Sequence, residues 1–122
     1  MSPLFFFALF GFLSVAFGAF GAHGLKAHVS PADLVIFETG VRYMAYHALA
    51  LGVLGVWQRV QSGLCLKRET LLFVLGICIF SGSLFLLVIT NTRWLGAITP
   101  IGGTLLLVAW AMVGVRAVRS EK

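Results

Sequence analysis

Charged side chains are scarce in this chain of 122 residues, of which they make up only 11%. Soluble domains carry about 25% charged residues, and a soluble core needs more polar surface than this to cover it. Hydrophobic residues account for 60% of the chain, and its mean hydropathy is +1.02. The composition therefore excludes an ordinary soluble domain and predicts an integral membrane protein, whose length suits a single domain.

Acidic residues are the rarest charged group, with four Asp and Glu against nine Lys and Arg. A basic chain with a net charge of +5 can bind nucleic acid. Here, however, the bases form no groove, because they are scattered over short connections and the C-terminus. Lipid headgroups and membrane topology account for bases in such places. We therefore expect the lipid bilayer as a partner, and no nucleic acid.

Cysteines and recognisable catalytic motifs are also few. Cys65 and Cys78 are expected at different membrane depths, too far apart for the roughly 7 Å Cα separation that a disulfide allows. His23 and His28 are not spaced to share a helix face, and no HExxH, CxxC or GxSxG pattern occurs. We expect no metal, no cofactor and no enzymatic site; haem ligation by His23 and His47 from facing helices is a remaining alternative.

Four apolar runs occupy nearly the whole chain. An uncharged stretch of about 20 residues is long enough to cross a bilayer as a helix. Short connections make successive helices antiparallel, in an up-down-up-down bundle. The sequence thus predicts an all-α membrane protein, a single antiparallel bundle of four transmembrane helices. The expected spans are residues 4–22, 41–58, 70–90 and 95–116.

The distribution of Lys and Arg predicts the orientation of these spans. Six of the nine bases lie at one end of the predicted bundle and three at the other. Positively charged connections are retained in the cytoplasm. Both termini and the connection between the second and third spans are therefore expected to be cytoplasmic.

A helix start signal precedes the second span. Ser30 is a good N-cap, Pro31 suits the first helical position, and Asp33 completes a capping box. We expect a short, capped, amphipathic segment that leads into helix 2. A helix from Pro31 to Trp57 would be about 40 Å long, against a hydrocarbon core of about 30 Å. Its first two turns should therefore protrude, tilt or lie in the interface, with Gly40 as the place for a bend.

Polar residues gather in the predicted outer half of the bundle. On the second span, residues four apart are neighbours on the helix surface. Glu38 and Arg42 have this spacing, in the order that favours an ion pair, and lipid cannot satisfy such groups, so the arc should face the bundle. The cytoplasmic half is expected to be almost purely apolar. The predicted polar cluster comprises His23, Glu38, Arg42, Tyr43, Tyr46, His47, Ser81, Ser83, Asn91 and Thr99.

The polar cluster allows two interpretations. In the first it is a structural clasp, in which Glu38 pairs with Arg42 and the histidines bond to hydroxyls or carbonyls. In the second it is an outward-facing vestibule that binds or transports a small solute, a lipid or an ion. The apolar cytoplasmic half argues against a complete polar path through one protomer. We favour a structural, assembly or interaction protein, acting as a homo-oligomer or within a larger membrane complex.

Four ordered segments carry a family resemblance: "GAFGAHGLK", "FETGVRYMAYHALAL", "FSGSLFLLVIT" and "LGAITPIGG". Together they resemble the domain-of-unknown-function family 423, small four-span proteins of the bacterial inner membrane that are related to the transmembrane-protein-256-like proteins of eukaryotes. The resemblance covers Phe10 to about Trp110. The family pattern has glutamine where Met44 stands, so one polar group is missing from the cluster. The resemblance implies a membrane location and a fold, and it implies no activity.

Overall fold

The computed structural model describes residues 1–121. Within them the chain is helical, without a β-strand, so the predicted all-α fold of four long helices is confirmed. Two short 3₁₀ helices, Leu25–Ala27 and Arg93–Ala97, lie in the connections between the first and second and between the third and fourth helices. The long helices are α1, Pro3–His23; α2, Pro31–Val60; α3, Lys67–Thr90; and α4, Thr99–Ser120.

Local sequence signals set the helix boundaries. A proline stands in the first turn of α1, α2 and α4, where its missing N–H costs no hydrogen bond. The Oγ of Ser30 accepts a hydrogen bond from the backbone N–H of Asp33 at 3.1 Å, which confirms the predicted cap of α2. The third helix ends at Thr90, because the φ of 54° at the next residue, Asn91, lies in the left-handed region that stops a helix.

Successive helices run antiparallel and pack in the order α1–α2–α3–α4. Phe37 lies against Gly21, and Phe7 lies against Gly52, so α1 and α2 run in opposite directions. Within residues 1–121 α1 and α4 share no extensive contact, so α2 and α3 form the middle of an open bundle. Accordingly, 50% of the most apolar segment of α3 is buried, against 17% for α1 and for α4.

The two ends of the bundle are distinct. One end, here called the 3₁₀ end, contains residues 24–30 and 91–98 with both 3₁₀ helices. The other, here called the loop end, contains the N-terminus, residues 61–66 and the end of α4. At the closest helix contact, a Cβ on Gly102 of α4 would overlap the backbone of Phe80 on α3, so only glycine allows this approach.

The second helix differs from the expectation for it. It runs uninterrupted through Gly40, so the capped segment and the span 41–58 belong to one helix of 30 residues. The Gly40 carbonyl accepts a hydrogen bond from Ser81 Oγ at 2.7 Å, which places the two residues at the same level. Nine residues further along each antiparallel helix, Pro31 is then level with Thr90. The first turns of α2 thus lie beside the last turns of α3, and the expectation that they protrude from the hydrocarbon core, tilt or lie in the interface stays a prediction.

Three helical stretches are long and apolar enough to cross a membrane, namely Pro3–Ala27, Lys67–Thr90 and Arg93–Ser120. The second helix does not reach the same hydropathy. Its first half carries charged and polar residues, including Glu38 and Arg42, whereas its second half is apolar up to Trp57. Composition alone therefore identifies three of the four helices as spans.

Candidate functional site

His47 is the most completely bonded member of the predicted polar cluster. It is buried in α2, and its Nδ1 lies 2.6 Å from the backbone carbonyl of Tyr43. Its Nε2 lies 3.0 Å from the indole Nε1 of Trp110 in α4. Because an indole N–H can only donate, Nε2 must accept, and the single proton of the neutral ring then lies on Nδ1 and is donated to Tyr43. The imidazole is thus held in one neutral tautomer that joins α2 to α4.

Aromatic rings surround His47. The ring centre of Phe73 lies 5.8 Å from that of His47, and Phe73 meets Trp110 edge to face at 5.1 Å. Tyr43 packs on Phe80 at 4.9 Å. The rings of Tyr43, His47, Phe80 and Trp110 line a groove of about 530 Å³ between α2 and α4. The groove opens sideways and its surface is mainly apolar, so it offers lipid chains a contact surface and offers polar solutes few partners.

The serines and Thr99 make the other interhelical hydrogen bonds of the polar cluster. Ser81 is buried and bonds across to the Gly40 carbonyl, which joins α3 to α2. Ser83 is also buried, and its Oγ lies 2.6 Å from Thr99 Oγ1, which joins α3 to α4. With the bond from Trp110 to His47, each pair among α2, α3 and α4 is therefore joined by a side-chain hydrogen bond.

The predicted Glu38–Arg42 ion pair is absent, and this prediction is wrong. Arg42 Nη2 donates to Thr39 Oγ1 at 3.2 Å, and Glu38 makes no hydrogen bond or ion pair with any residue in 1–121. Both side chains lie on the exposed surface of α2, together with Tyr46. The inward surface is occupied by buried residues such as Phe37, so the charged row points away from the bundle and does not face into it as expected.

The last two predicted residues lie at the 3₁₀ end, apart from the buried part of the cluster. His23 is the final residue of α1 and is exposed. Asn91 is exposed as well, and its Oδ1 accepts a hydrogen bond from Arg93 Nε at 2.8 Å. The structure therefore brings His47, Ser81, Ser83 and Thr99 together between the helices, and leaves the other six predicted residues, Tyr43 included, on the surface.

An ion pair at the 3₁₀ end was not anticipated. Both guanidinium nitrogens Nη1 and Nη2 of Arg93 donate to the two carboxylate oxygens of Asp33, each at 2.8 Å. These hydrogen bonds hold the pKa of the Asp33 carboxyl below its ordinary value of 3.8 and raise the pKa of Arg93. From the sequence, Asp33 was expected only to cap α2. The sequence feature that could have indicated this ion pair is the position of Asp33 at the start of α2, level with the connection that carries Arg93.

A second unanticipated ion pair lies at the loop end. Arg116 Nε in α4 donates to Glu69 Oε1 in α3 at 2.8 Å. The Glu69 side chain has 0% exposure, and its other oxygen, Oε2, is buried without a hydrogen-bond partner among residues 1–121. The expectation of an almost purely apolar half was therefore wrong. Because α3 and α4 are antiparallel, the first turn of α3 lies next to the last turns of α4. This arrangement could have indicated that Glu69 and Arg116 meet.

Residues 1–121 contain no group of three or more His, Cys, Asp or Glu side chains placed to hold a metal ion. Cys65 and Cys78 are unbridged. Cys78 lies inside an apolar run, and its side chain is on the exposed surface of α3.

Comparison with known proteins identifies relatives over most of the chain. Residues 17–103 match the family described as "Protein of unknown function (DUF423)". The chain is 42% identical over 113 residues to the UPF0382 membrane protein YwdK of Bacillus subtilis, covering 92% of each chain. It is 45% identical over 106 residues to the UPF0382 membrane protein SH2409 of Staphylococcus haemolyticus, covering 87% of this chain and 86% of that one.

A further relative is the UPF0382 inner membrane protein YgdD of Escherichia coli K12, which is 35% identical over 119 residues, covering 98% of this chain and 91% of the relative. No solved structure matches the chain. The names of these relatives give a membrane location and no enzymatic activity. The chain is therefore an integral membrane protein of uncharacterised activity, and it belongs to the DUF423 family.

Proposed function

We propose that this protein has a structural or interaction role in the bacterial inner membrane and that the interior members of its polar cluster hold the fold together. The hydrogen bond from Trp110 to His47 is the observation that carries the proposal. Both ring nitrogens of His47 are occupied by groups of the chain itself. A histidine that served a solute would need a free nitrogen directed into a cavity.

The remaining interior polar groups support the same reading. Ser81 bonds to a backbone carbonyl, and Ser83 bonds to Thr99. Such bonds between helices contribute about 0.6 kcal/mol each on average inside a membrane and fix the register of the helices. The exposed members, Glu38 and Arg42, point away from these interior groups. The geometry thus favours the clasp formed by His47, Ser81, Ser83, Thr99 and Trp110 over a shared vestibule.

We also propose that all four helices cross the membrane with both termini in the cytoplasm. Support comes from the antiparallel contacts, which make α2 level with the apolar α3, and from the bases at the loop end. Those bases include Arg59, Lys67, Arg68, Arg116 and Arg119. Reporter fusions after Ser62 and at the C-terminus should be active in the cytoplasm, and one after Ala27 should be active outside. The opposite pattern would reverse the orientation.

A double-mutant cycle tests the clasp. His47→Phe leaves the Trp110 N–H without an acceptor, at a cost of about 1–3 kcal/mol, and Trp110→Phe leaves Nε2 of His47 without a donor. If the two groups support each other, the double variant should be less destabilised than the sum of the two single variants. The free energy of unfolding in detergent is the measurement. Trp94→Phe is the matched control, since Trp94 lies exposed at the 3₁₀ end.

A flux assay tests the alternative directly. Liposomes containing the wild-type protein and a trapped pH-sensitive dye should leak protons no faster than protein-free liposomes, and the same should hold for potassium with a potassium-sensitive dye. Additive stability losses in the cycle, together with a protein-dependent flux that His47→Phe abolishes, would contradict the clasp and support an outward vestibule.

A further inference from the structure

One row of exposed residues runs along the whole of α2, at steps of three or four positions. This spacing places the row on a single surface of the helix. Apart from Val35 at its start, it is charged and polar toward the 3₁₀ end and purely aliphatic toward the loop end. We call it the α2 face; its members are Val35, Glu38, Arg42, Tyr46, Leu49, Val53, Val56 and Val60.

The helix register places the two charges of the α2 face at hydrocarbon depth. Gly40 is level with Ser81, so Glu38 is level with residue 83 and Arg42 with residue 79. Between Glu69 and Arg93 the third helix and its end carry no charge. That stretch of 23 residues, counted from 70 to 92, is about 34 Å long and is centred on residue 81. Arg42 therefore lies about two residues from the middle of the uncharged stretch.

The chain itself does not neutralise these charges. Among residues 1–121 the Glu38 side chain has no hydrogen-bond or ion-pair partner, and the Arg42 side chain bonds only to the hydroxyl of Thr39. Ionisable side chains at this depth seldom face lipid, because lipid chains offer them no hydrogen bonds. They ordinarily pair with each other or face other protein. The α2 face therefore requires a protein surface that brings one negative and one positive charge at these levels.

We propose that the α2 face binds the α2 face of a second copy of this chain in a two-fold symmetric dimer. A two-fold axis along the membrane normal sets two α2 helices side by side and parallel, with equal residues at equal depth. Helical side chains lean toward the N-terminus, so Arg42 leans toward the level of Glu38. Each arginine can then pair with Glu38 of the second copy, while the aliphatic half packs on its own equivalent.

The charges of the α2 face are complementary to those of an identical face, which identifies the partner as a second copy of this chain. The face carries one charge of each sign one helical turn apart, so a second copy supplies both missing partners twice over by symmetry. Leu49, Val53 and Val56 are each more than half exposed, and packing of such residues between helices supplies the remaining contact. This inference rests on the proposed interaction role and on the crossing of the membrane by α2.

Charge exchange tests the pairing between copies. E38R leaves two positive charges on the face, and R42E leaves two negative charges, so each variant alone should lose dimer affinity by about tenfold or more. When the two variants are expressed together with different tags, each should capture the other, because unlike charges meet across the interface. The double variant E38R/R42E, alone, should dimerise again. Pairing confined to one chain predicts no such preference between the two variants.

Cysteine cross-linking in native membranes provides a measurement that does not disturb the charges. In a C65S/C78S background, V53C should form a disulfide-linked dimer on oxidation. V115C is the matched control: Arg116 meets Glu69, so Val115 lies at a depth similar to that of Val53, and it is also exposed, but on α4. A dimer band for V53C and none for V115C is the expected result. Equal cross-linking of both, or of neither, would overturn the proposal.

The failure of this dimer can be distinguished from the failure of the proposed function. Suppose that the cycle shows coupling between His47 and Trp110, that no proton or potassium flux is seen, and that V53C stays monomeric. These results would retain the structural role and reject a second copy of the chain as the partner of the α2 face. Additive stability losses in the cycle, together with a protein-dependent flux that His47→Phe abolishes, would reject the structural role, whatever the cross-linking result.

Discussion

The two ends of the bundle each hold one ion pair between an arginine and a carboxylate, but the pairs differ in almost every physical respect. At the 3₁₀ end, Arg93 meets Asp33 through two hydrogen bonds, with 54% and 16% of the two side chains exposed. At the loop end, Arg116 meets a fully buried Glu69 through one hydrogen bond and leaves the second carboxylate oxygen unsatisfied.

The comparison shows that the ion pair with the better hydrogen-bond geometry is not the one expected to contribute more to stability. The exposed pair has the better bidentate geometry, yet water and salt compete for it, and such pairs contribute little to stability. The buried pair has the poorer geometry, but a buried carboxylate that loses its partner keeps its desolvation cost. We therefore expect the less completely bonded pair to be the more sensitive to mutation.

Removal of Arg116 should have the largest effect. In Arg116→Met the Glu69 carboxylate remains buried without a counter-charge, which should lower the free energy of unfolding by about 3–5 kcal/mol. Denaturant titration in detergent micelles measures it. Arg119→Met is the control, because Arg119 is exposed on the same helix and should change stability by no more than about 0.5 kcal/mol. Similar losses in the two variants would refute the special role of the buried pair.

Neutralisation of Glu69 should have a smaller effect. In Glu69→Gln the amide oxygen can still accept the bond from Arg116, and the half-exposed guanidinium can turn toward water. The remaining cost is one imperfectly satisfied buried amide, about 1–2 kcal/mol. The same titration should rank Arg116→Met well above Glu69→Gln. The reverse order would mean that the arginine, and not the carboxylate, carries the burial cost.

Disruption of the exposed pair should have the smallest effect at neutral pH and should reveal itself through pH and salt. Because hydrogen bonds from Arg93 lower the pKa of Asp33, the pair stabilises the fold above the ordinary pKa of 3.8, and this contribution is lost as the pH falls through the lowered value. Arg93→Met should therefore abolish an acid-dependent part of the thermal transition temperature. High salt should likewise reduce the difference between wild type and variant. A salt-independent difference of several degrees would contradict the assignment.

Most of the fold follows from sequence patterns with a direct physical cause. Apolar length predicted α1, α3 and α4, and the Ser30 cap predicted the start of α2. The second helix was harder to predict from the sequence, because its hydropathy falls at Glu38 and Arg42. A bend at Gly40 was a reasonable expectation from composition, but the ring of Phe85 packs on this glycine and the helix continues.

The candidate site was only partly predictable. A spacing of four residues shows that Glu38 and Arg42 share a helix surface, but it does not show whether that surface faces inward. The direction depends on the helices that pack around α2, which bury Phe37 and Met44 and leave the charged row outside. Likewise, the partner of His47 lies 63 positions away in the chain. Only the packing of α4 brings Trp110 to it, and no local pattern encodes that contact.

The hydrogen bond from Trp110 to His47 also makes the intrinsic tryptophan fluorescence of the protein sensitive to assembly of the helix bundle. Trp110 is one of three tryptophans; Trp57 donates its indole N–H to Gln61 within α2, and Trp94 is exposed. The emission of Trp110 depends on contact between helices, because its hydrogen bond and its edge-to-face packing on Phe73 disappear when α4 leaves α2 and α3. A chain in which Trp57 and Trp94 are replaced by phenylalanine would report assembly of the bundle by fluorescence, without an added label.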